Sequence, residues 1–155
     1  MHIPMQVDYG VRALVDLAVH DGEGPVRASD IAGRQHIPEP YLARVLHALR
    51  RQGLTDSQRG PLGGHTLAVD PARISMGMVM RHLGGPKTLV SCLDDQGRCV
   101  QSGDCGQRSV WQEVEEAIQN VLDSTSIADL VERTQDESND DAAPPNGRKL
   151  AAVAN

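Results

Sequence analysis

The sequence contains no phenylalanine, one tryptophan (Trp111) and two tyrosines, Tyr9 and Tyr41. Sheet sandwiches lean on aromatic and β-branched residues. An apolar fraction of 39%, supplied almost wholly by Leu, Val, Ile, Met and Ala, instead favours packed helices. There is no apolar run near the roughly 18 residues needed to cross a bilayer. The opening residues, Met1-His2-Ile3-Pro4-Met5-Gln6, lack the charged and apolar regions of a secretory signal. These absences predict a cytoplasmic protein without membrane association. Cysteine is scarce too: three residues, Cys92, Cys99 and Cys105, all in one short stretch. In a reducing compartment, clustered cysteines read as metal ligands or redox thiols before they read as disulfides.

The net charge of −6 argues against a nucleic-acid partner until its distribution is considered. Between residues 27 and 59, Arg27, Arg34, Arg44, Arg50, Arg51 and Arg59 face Asp30, Glu39 and Asp56, a local surplus of three positive charges. The acidity lies elsewhere, in Asp94, Asp95, Asp104, Glu113, Glu115, Glu116 and the C-terminal residues. A basic segment inside an acidic chain is compatible with DNA binding.

Helical periodicity begins at once. Val7, Val11, Leu14, Val15 and Ala18 form one apolar face over residues 4–21. Asp8 and Arg12 lie four apart on another face, the spacing of a surface ion pair. After a Gly/Pro turn at 21–25, residues 28–35 form a short second helix with Ile31 and Ala32 inward. Pro38-Glu39-Pro40 opens a third, in whose first turn prolines are tolerated because those N–H groups have no intrahelical partner. Leu42, Val45, Leu46 and Leu49 make its apolar stripe, leaving Arg44, His47, Arg50 and Arg51 outward. Two short helices, a tight turn and a basic outer face describe a helix-turn-helix.

Two short strands follow at 54–57 and 65–68, joined by Gln58-Arg59-Gly60-Pro61-Leu62-Gly63-Gly64. A glycine-rich hairpin tip with one arginine after a helix-turn-helix is a wing. Gly60 and Gly63 allow its backbone close to a duplex, and Arg59 is placed to enter the minor groove. On the third helix, Glu39 is suited to accept from a cytosine amino group, Tyr41 to touch phosphate or sugar, and Arg44 to reach guanine or phosphate. Arg27, Pro38 and Arg50 complete the candidate DNA-contacting set. Residues 71–83 give a connector and fourth helix, with Ser75 a candidate N-cap. A long helix at 108–123 carries Val110, Val114, Ala117, Ile118, Val121 and Leu122 on one stripe with Trp111 beside it. That stripe predicts a homodimer in which Val110, Trp111, Val114, Ile118 and Val121 meet a second copy. A short helix at 126–133 follows. From residue 134 the apolar content falls so low that a disordered tail is expected.

The motif Asp8-Tyr9-Gly10-Val11-Arg12-Ala13-Leu14, the pattern Tyr41-Leu42…Leu46…Leu49-Arg50…Gly53-Leu54, the wing Arg59-Gly60-Pro61-Leu62-Gly63-Gly64 and three spaced cysteines before Trp111 resemble the Rrf-two-type winged-helix regulators over residues 1–133. The nearest resemblance is to the nitric-oxide-sensing NsrR type, beside the IscR and RirA types. It implies a homodimeric transcription factor, a repressor, with an iron–sulphur cluster on three cysteines. Cluster modification would change its affinity for a palindromic operator in double-stranded DNA. Thiolates are the usual cluster ligands. Gaps of six and five residues suit a loop wrapped around a cluster better than the Cys-x2-4-Cys knuckle of zinc. Zinc binding and a bare thiol switch stay open.

IscR-like members place a histidine three residues after the last cysteine, where this chain has Arg108. NsrR-like members use an aspartate from the partner subunit, and Asp8 stands at that position. The resemblance thus implies Cys92, Cys99, Cys105 and the second copy's Asp8 as ligands, with a 4Fe-4S cluster preferred over 2Fe-2S. The signal expected is nitric oxide, with iron or cluster supply, or redox state, as alternatives. No nucleotide loop or nucleophile–base motif suggests an enzyme. The expected fold is mainly α: a winged helix-turn-helix with a two-stranded β wing plus a long C-terminal dimerisation helix. The expected division is a DNA-binding domain at 1–83, a cluster loop at 84–107, dimerisation and C-terminal helices at 108–133, and a tail at 134–155.

Overall fold

The computed structural model of the chain describes residues 3–84 and 105–140. Cys92 and Cys99 lie outside them. The described elements, in order, are α1 (Met5–Val19), α2 (Ala28–Gln35), α3 (Glu39–Arg51), β1 (Thr55–Gln58), β2 (Gly64–Leu67), a 3-10 turn (Pro71–Arg73), α4 (Met76–His82), α5 (Gly106–Ser124) and α6 (Ile127–Asp140).

Helix α1 is central because it is apolar on two adjoining faces. On one, Ala13 and Leu17 pack with Ile31, Ala32, Ile37, Leu42 and Leu46 from α2, the turn and α3. On the other, Val7 and Leu14 pack with Val45, Leu49, Leu54, Ile74, Val79, Leu83 and Ile127. Both clusters share α3, whose stripe Leu42, Val45, Leu46, Leu49 is buried as its spacing predicted. Gly10 lets α4 approach: a Cβ there would overlap the Leu83 side chain.

β1 and β2 pair antiparallel, Thr55 opposite Leu67 through Gln58 opposite Gly64. The hairpin is tied to the segment before α2 by a two-way bridge, Val26 N–H to the His65 carbonyl at 2.9 Å and His65 N–H to the Val26 carbonyl at 2.7 Å. Gly64 is required here, since a Cβ would overlap the Val26 backbone. The His65 imidazole is pushed below its ordinary pKa by burial and by nearby Arg50.

As expected, residues 71–83 form a connector, here a 3-10 turn, and then α4, which the Ser75 hydroxyl caps by accepting from the Met78 N–H at 3.1 Å. The chain around Ile74–Met76 pairs with that around Thr125–Ile127: Met76 N–H donates to the Thr125 carbonyl at 2.9 Å and Ile127 N–H to the Ile74 carbonyl at 2.8 Å. This staple seats Ile127 fully inside the core and lays α6 along α1. Through Ile127, α6 shares the core of the winged helix.

The expectation of a disordered tail from residue 134 is corrected for its first seven residues, because α6 runs to Asp140. Ser126 and Asp129 form a reciprocal N-terminal box: Asp129 accepts from the Ser126 N–H and hydroxyl, each at 2.8 Å, and its own N–H donates to Ser126 Oγ at 3.1 Å. Once so nucleated, a helix extends at little cost, and low apolar content alone does not stop it. The tail beyond 140 lies outside the described residues.

Candidate nucleic-acid interface and cysteine site

The turn between α2 and α3 is made by His36 in the left-handed region, φ 52°. Ile37 N–H closes the turn on the Ala32 carbonyl at 3.0 Å. With Leu42, Val45, Leu46 and Leu49 buried, the outer face of α3 presents Pro38, Glu39, Tyr41, Arg44 and Arg50 to solvent. The Arg44 guanidinium carbon stands 6.0 Å from the Tyr41 ring centre, a cation–π distance. Tyr41 in turn meets Tyr9 of α1 edge-on, centroids 6.4 Å apart.

The wing is braced from α2. The Arg27 guanidinium donates to the Pro61 carbonyl at 2.9 Å, and Gly63 N–H donates to the Gly60 carbonyl at 3.0 Å. Gly60 holds φ 115°, and a Cβ at Gly63 would overlap the Gln58 carbonyl, so both glycines are set by the turn itself. Arg59 is exposed at this tip. The structure thus brings Arg27, Arg59, Gly60 and Gly63 together in the wing, and Pro38, Glu39, Tyr41, Arg44 and Arg50 on α3.

Arg34, counted in the basic segment, is not available to a ligand. It grips Asp16 of α1 in a bidentate pair, Nε to Oδ2 at 2.9 Å and a terminal nitrogen to Oδ1 at 2.7 Å. Gln35 donates to the same carboxylate at 3.2 Å. Asp16 is 2% exposed, whereas the Arg34 side chain is 40% exposed. The hydrogen bond to Asp16 raises the Arg34 pKa further. The sequence signal for this clamp was a lone carboxylate inside the apolar run Leu14-Val15-Asp16-Leu17, which needs a partner if buried.

Of the expected ligands, Cys105 and Asp8 are among the described residues, which gather no group of three or more His, Cys, Asp or Glu side chains able to hold a metal. Cys105 is the N-cap residue of α5, half-buried and free of disulfide bonding. Asp8 is 43% exposed on α1 and pairs with Arg12 at 3.1 Å. Arg12 also donates to the Gln35 carbonyl at 3.3 Å and sits 6.0 Å from the Tyr9 ring centre. Along α5 nothing is buried: Val110, Trp111, Val114 and Val121 are 55%, 40%, 37% and 64% exposed, and Ile118 is half-buried. On the described residues α5 touches the body through α4, where Arg81 reaches Asp123 at 2.8 Å.

A helix-turn-helix followed by a braced two-stranded wing defines a winged-helix DNA-binding protein. The Rrf2 family, described as iron-dependent transcriptional regulator, matches residues 3–133. The HTH-type transcriptional regulator IscR of Aliivibrio salmonicida is 35% identical over 144 residues, 90% of this chain and 85% of that protein. The HTH-type transcriptional regulator CymR of Bacillus subtilis is 34% identical over 137 residues, 88% and 94% of the two chains. Among solved structures, CymR, titled the global cysteine regulator of B. subtilis, aligns with TM-score 0.75 at 33% identity, covering 86% of this chain and 98% of its own. T. potens IscR aligns with TM-score 0.69 at 35% identity, covering 95% and 94%. The chain belongs to the Rrf2 family and is a transcriptional regulator, not an enzyme.

The Asp16 clamp yields an asymmetric prediction. In Asp16→Ala the exposed Arg34 regains water, so the loss is about 2 kcal/mol. In Arg34→Ala the buried carboxylate keeps the 3.2 Å bond from Gln35 but loses its guanidinium partner, at a cost of about 3 kcal/mol or more. Urea unfolding of both variants checks the order, and an Arg34→Ala loss smaller than that of Asp16→Ala contradicts it.

Proposed function

We propose that this regulator is a homodimeric repressor carrying an iron–sulphur cluster, 4Fe-4S in preference to 2Fe-2S, and that nitric oxide at the cluster changes its affinity for a palindromic operator. The observation that carries the reading is the set of three cysteines, spaced by six and five residues, in a chain whose family is described as iron-dependent. The donor chemistry fits the group. Cys105 offers a free thiol at the start of α5, while Arg108, three residues on, cannot ligate. Asp8 offers a half-exposed carboxylate whose pairing with Arg12 is a weak, exchangeable surface contact. Cys92, Cys99 and Cys105 of one copy with the Asp8 carboxylate of the other would hold the cluster, which supplies iron able to react with a small molecule. The bare apolar stripe of α5 is the surface for the second copy.

In this reading Glu39, Tyr41 and Arg44 meet base edges and phosphates, Arg27, Pro38 and Arg50 sit at the backbone, and Arg59, Gly60 and Gly63 form the minor-groove contact. A physical route joins the two sites. Asp8 is followed on α1 by Tyr9, whose ring abuts Tyr41, and Tyr41 carries Arg44. A pull on the start of α1 is thereby felt on the reading helix.

A second reading has its own support. Likeness to CymR, titled a cysteine regulator, together with Asp8 already engaged by Arg12, favours cysteines acting as thiols without a cluster.

Two experiments test the proposal. Arg59→Ala is expected to weaken duplex binding and lower the slope of log affinity against log salt by about one, while the absorption spectrum of the protein is unchanged. An unaltered affinity removes the wing from the interface. In Asp8→Ala, cluster absorbance and the rate of nitric oxide reaction are expected to shift. Identical spectra and kinetics would exclude Asp8 as a ligand.

A further inference from the structure

At the tip of the wing Leu62 is 86% exposed, the highest value among the large apolar side chains of the described residues. A single exposed leucine on a mobile loop would need no explanation. This one is held out by a locked turn. Pro61 fixes its own φ, Arg27 grips the Pro61 carbonyl at 2.9 Å, and Gly63 N–H closes on the Gly60 carbonyl at 3.0 Å. Gly63 cannot accept a side chain against the Gln58 carbonyl, so the turn has little room to rearrange. The leucine therefore projects from a preformed backbone, three residues from Arg59 and one from the carbonyl that Arg27 holds.

We propose that Leu62 is an apolar minor-groove contact. Resting on the DNA-binding reading above, it packs against the deoxyribose wall of the groove that Arg59 enters. The chemistry matches on both sides. The minor groove is narrow, about 6 Å, and its walls are sugar C–H surface rather than hydrogen-bonding groups. Proteins that enter it combine guanidinium groups with apolar side chains. Arg59 supplies the charge, Arg27 braces the turn, and Leu62 supplies apolar surface that reads sugar rather than base.

The consequence separates this contact from a phosphate contact. An apolar contact contributes affinity without counterion release, so its loss changes affinity but not salt dependence. The test uses the full-length protein and a duplex that the wild type enriches from a random-sequence library. Leu62→Gln, which keeps a side chain of similar length and the backbone restraint, is expected to bind about tenfold more weakly at one salt concentration. Its salt slope should equal that of wild type, and hydroxyl-radical cleavage should rise at sugars under the wing. Leu62→Met should stay within about twofold of wild type, since it preserves apolar volume. Wild-type affinity in Leu62→Gln overturns the proposal. So does a slope lowered by about one, which would mean that Leu62 acts only by placing Arg59. If the wild type enriches no duplex in a salt-dependent way, the DNA-binding reading itself falls, and that outcome is distinct from both.

Discussion

The Asp16 carboxylate lies inside the protein at 2% exposure and holds the end of α2 through Arg34 and Gln35. A carboxylate removed from water is strongly unfavourable unless its oxygens are met, so α2 cannot tilt away from α1 without stranding it. Around that fixed pair the apolar surfaces fall into place. Leu17 and Ala13 meet Ile31 and Leu46, and the other side of α1 meets α3, α4 and α6. The turn at His36 and the exposed face of α3 inherit their direction from this clamp. The wing inherits its own through the Val26–His65 bridge and the Arg27 grip on Pro61.

Much of this was legible in the sequence because it depends on local spacing. The buried stripe of α3, the two short strands around a glycine-rich tip, the Ser75 cap and the long α5 all follow from periodicities and from residues with restricted backbone preferences. The clamp was not legible in the same way. Asp16 and Arg34 are eighteen positions apart, and no period connects them. The length of α6 does not follow from composition, which speaks to packing, whereas Ser126 and Asp129 nucleate a helix that its acidic end then follows. The placement of Ile127 in the core depends on a pairing with Ile74 across more than fifty residues, which one sequence does not display.

The candidate site divides similarly. The candidate DNA-contacting residues came from local pattern, and the fold gathers them on α3 and the wing. Their organisation adds what the pattern lacked: Arg34 is engaged by Asp16, Arg27 braces the wing, and Tyr41 joins Arg44 to α1. The proposed sensor site, by contrast, rests on three thiols of which the described residues include Cys105 alone. Its assignment comes from donor chemistry, the family description and the position of Asp8.

The central claim is that the cysteine set holds a cluster that governs DNA binding. Native mass spectrometry of anaerobically purified protein, with duplex affinity measured before and after nitric oxide, addresses it most directly. The account predicts a dimer with an iron–sulphur mass on each subunit and a loss of affinity when the cluster reacts. A metal-free dimer with unchanged affinity would contradict it and leave the thiol reading in its place.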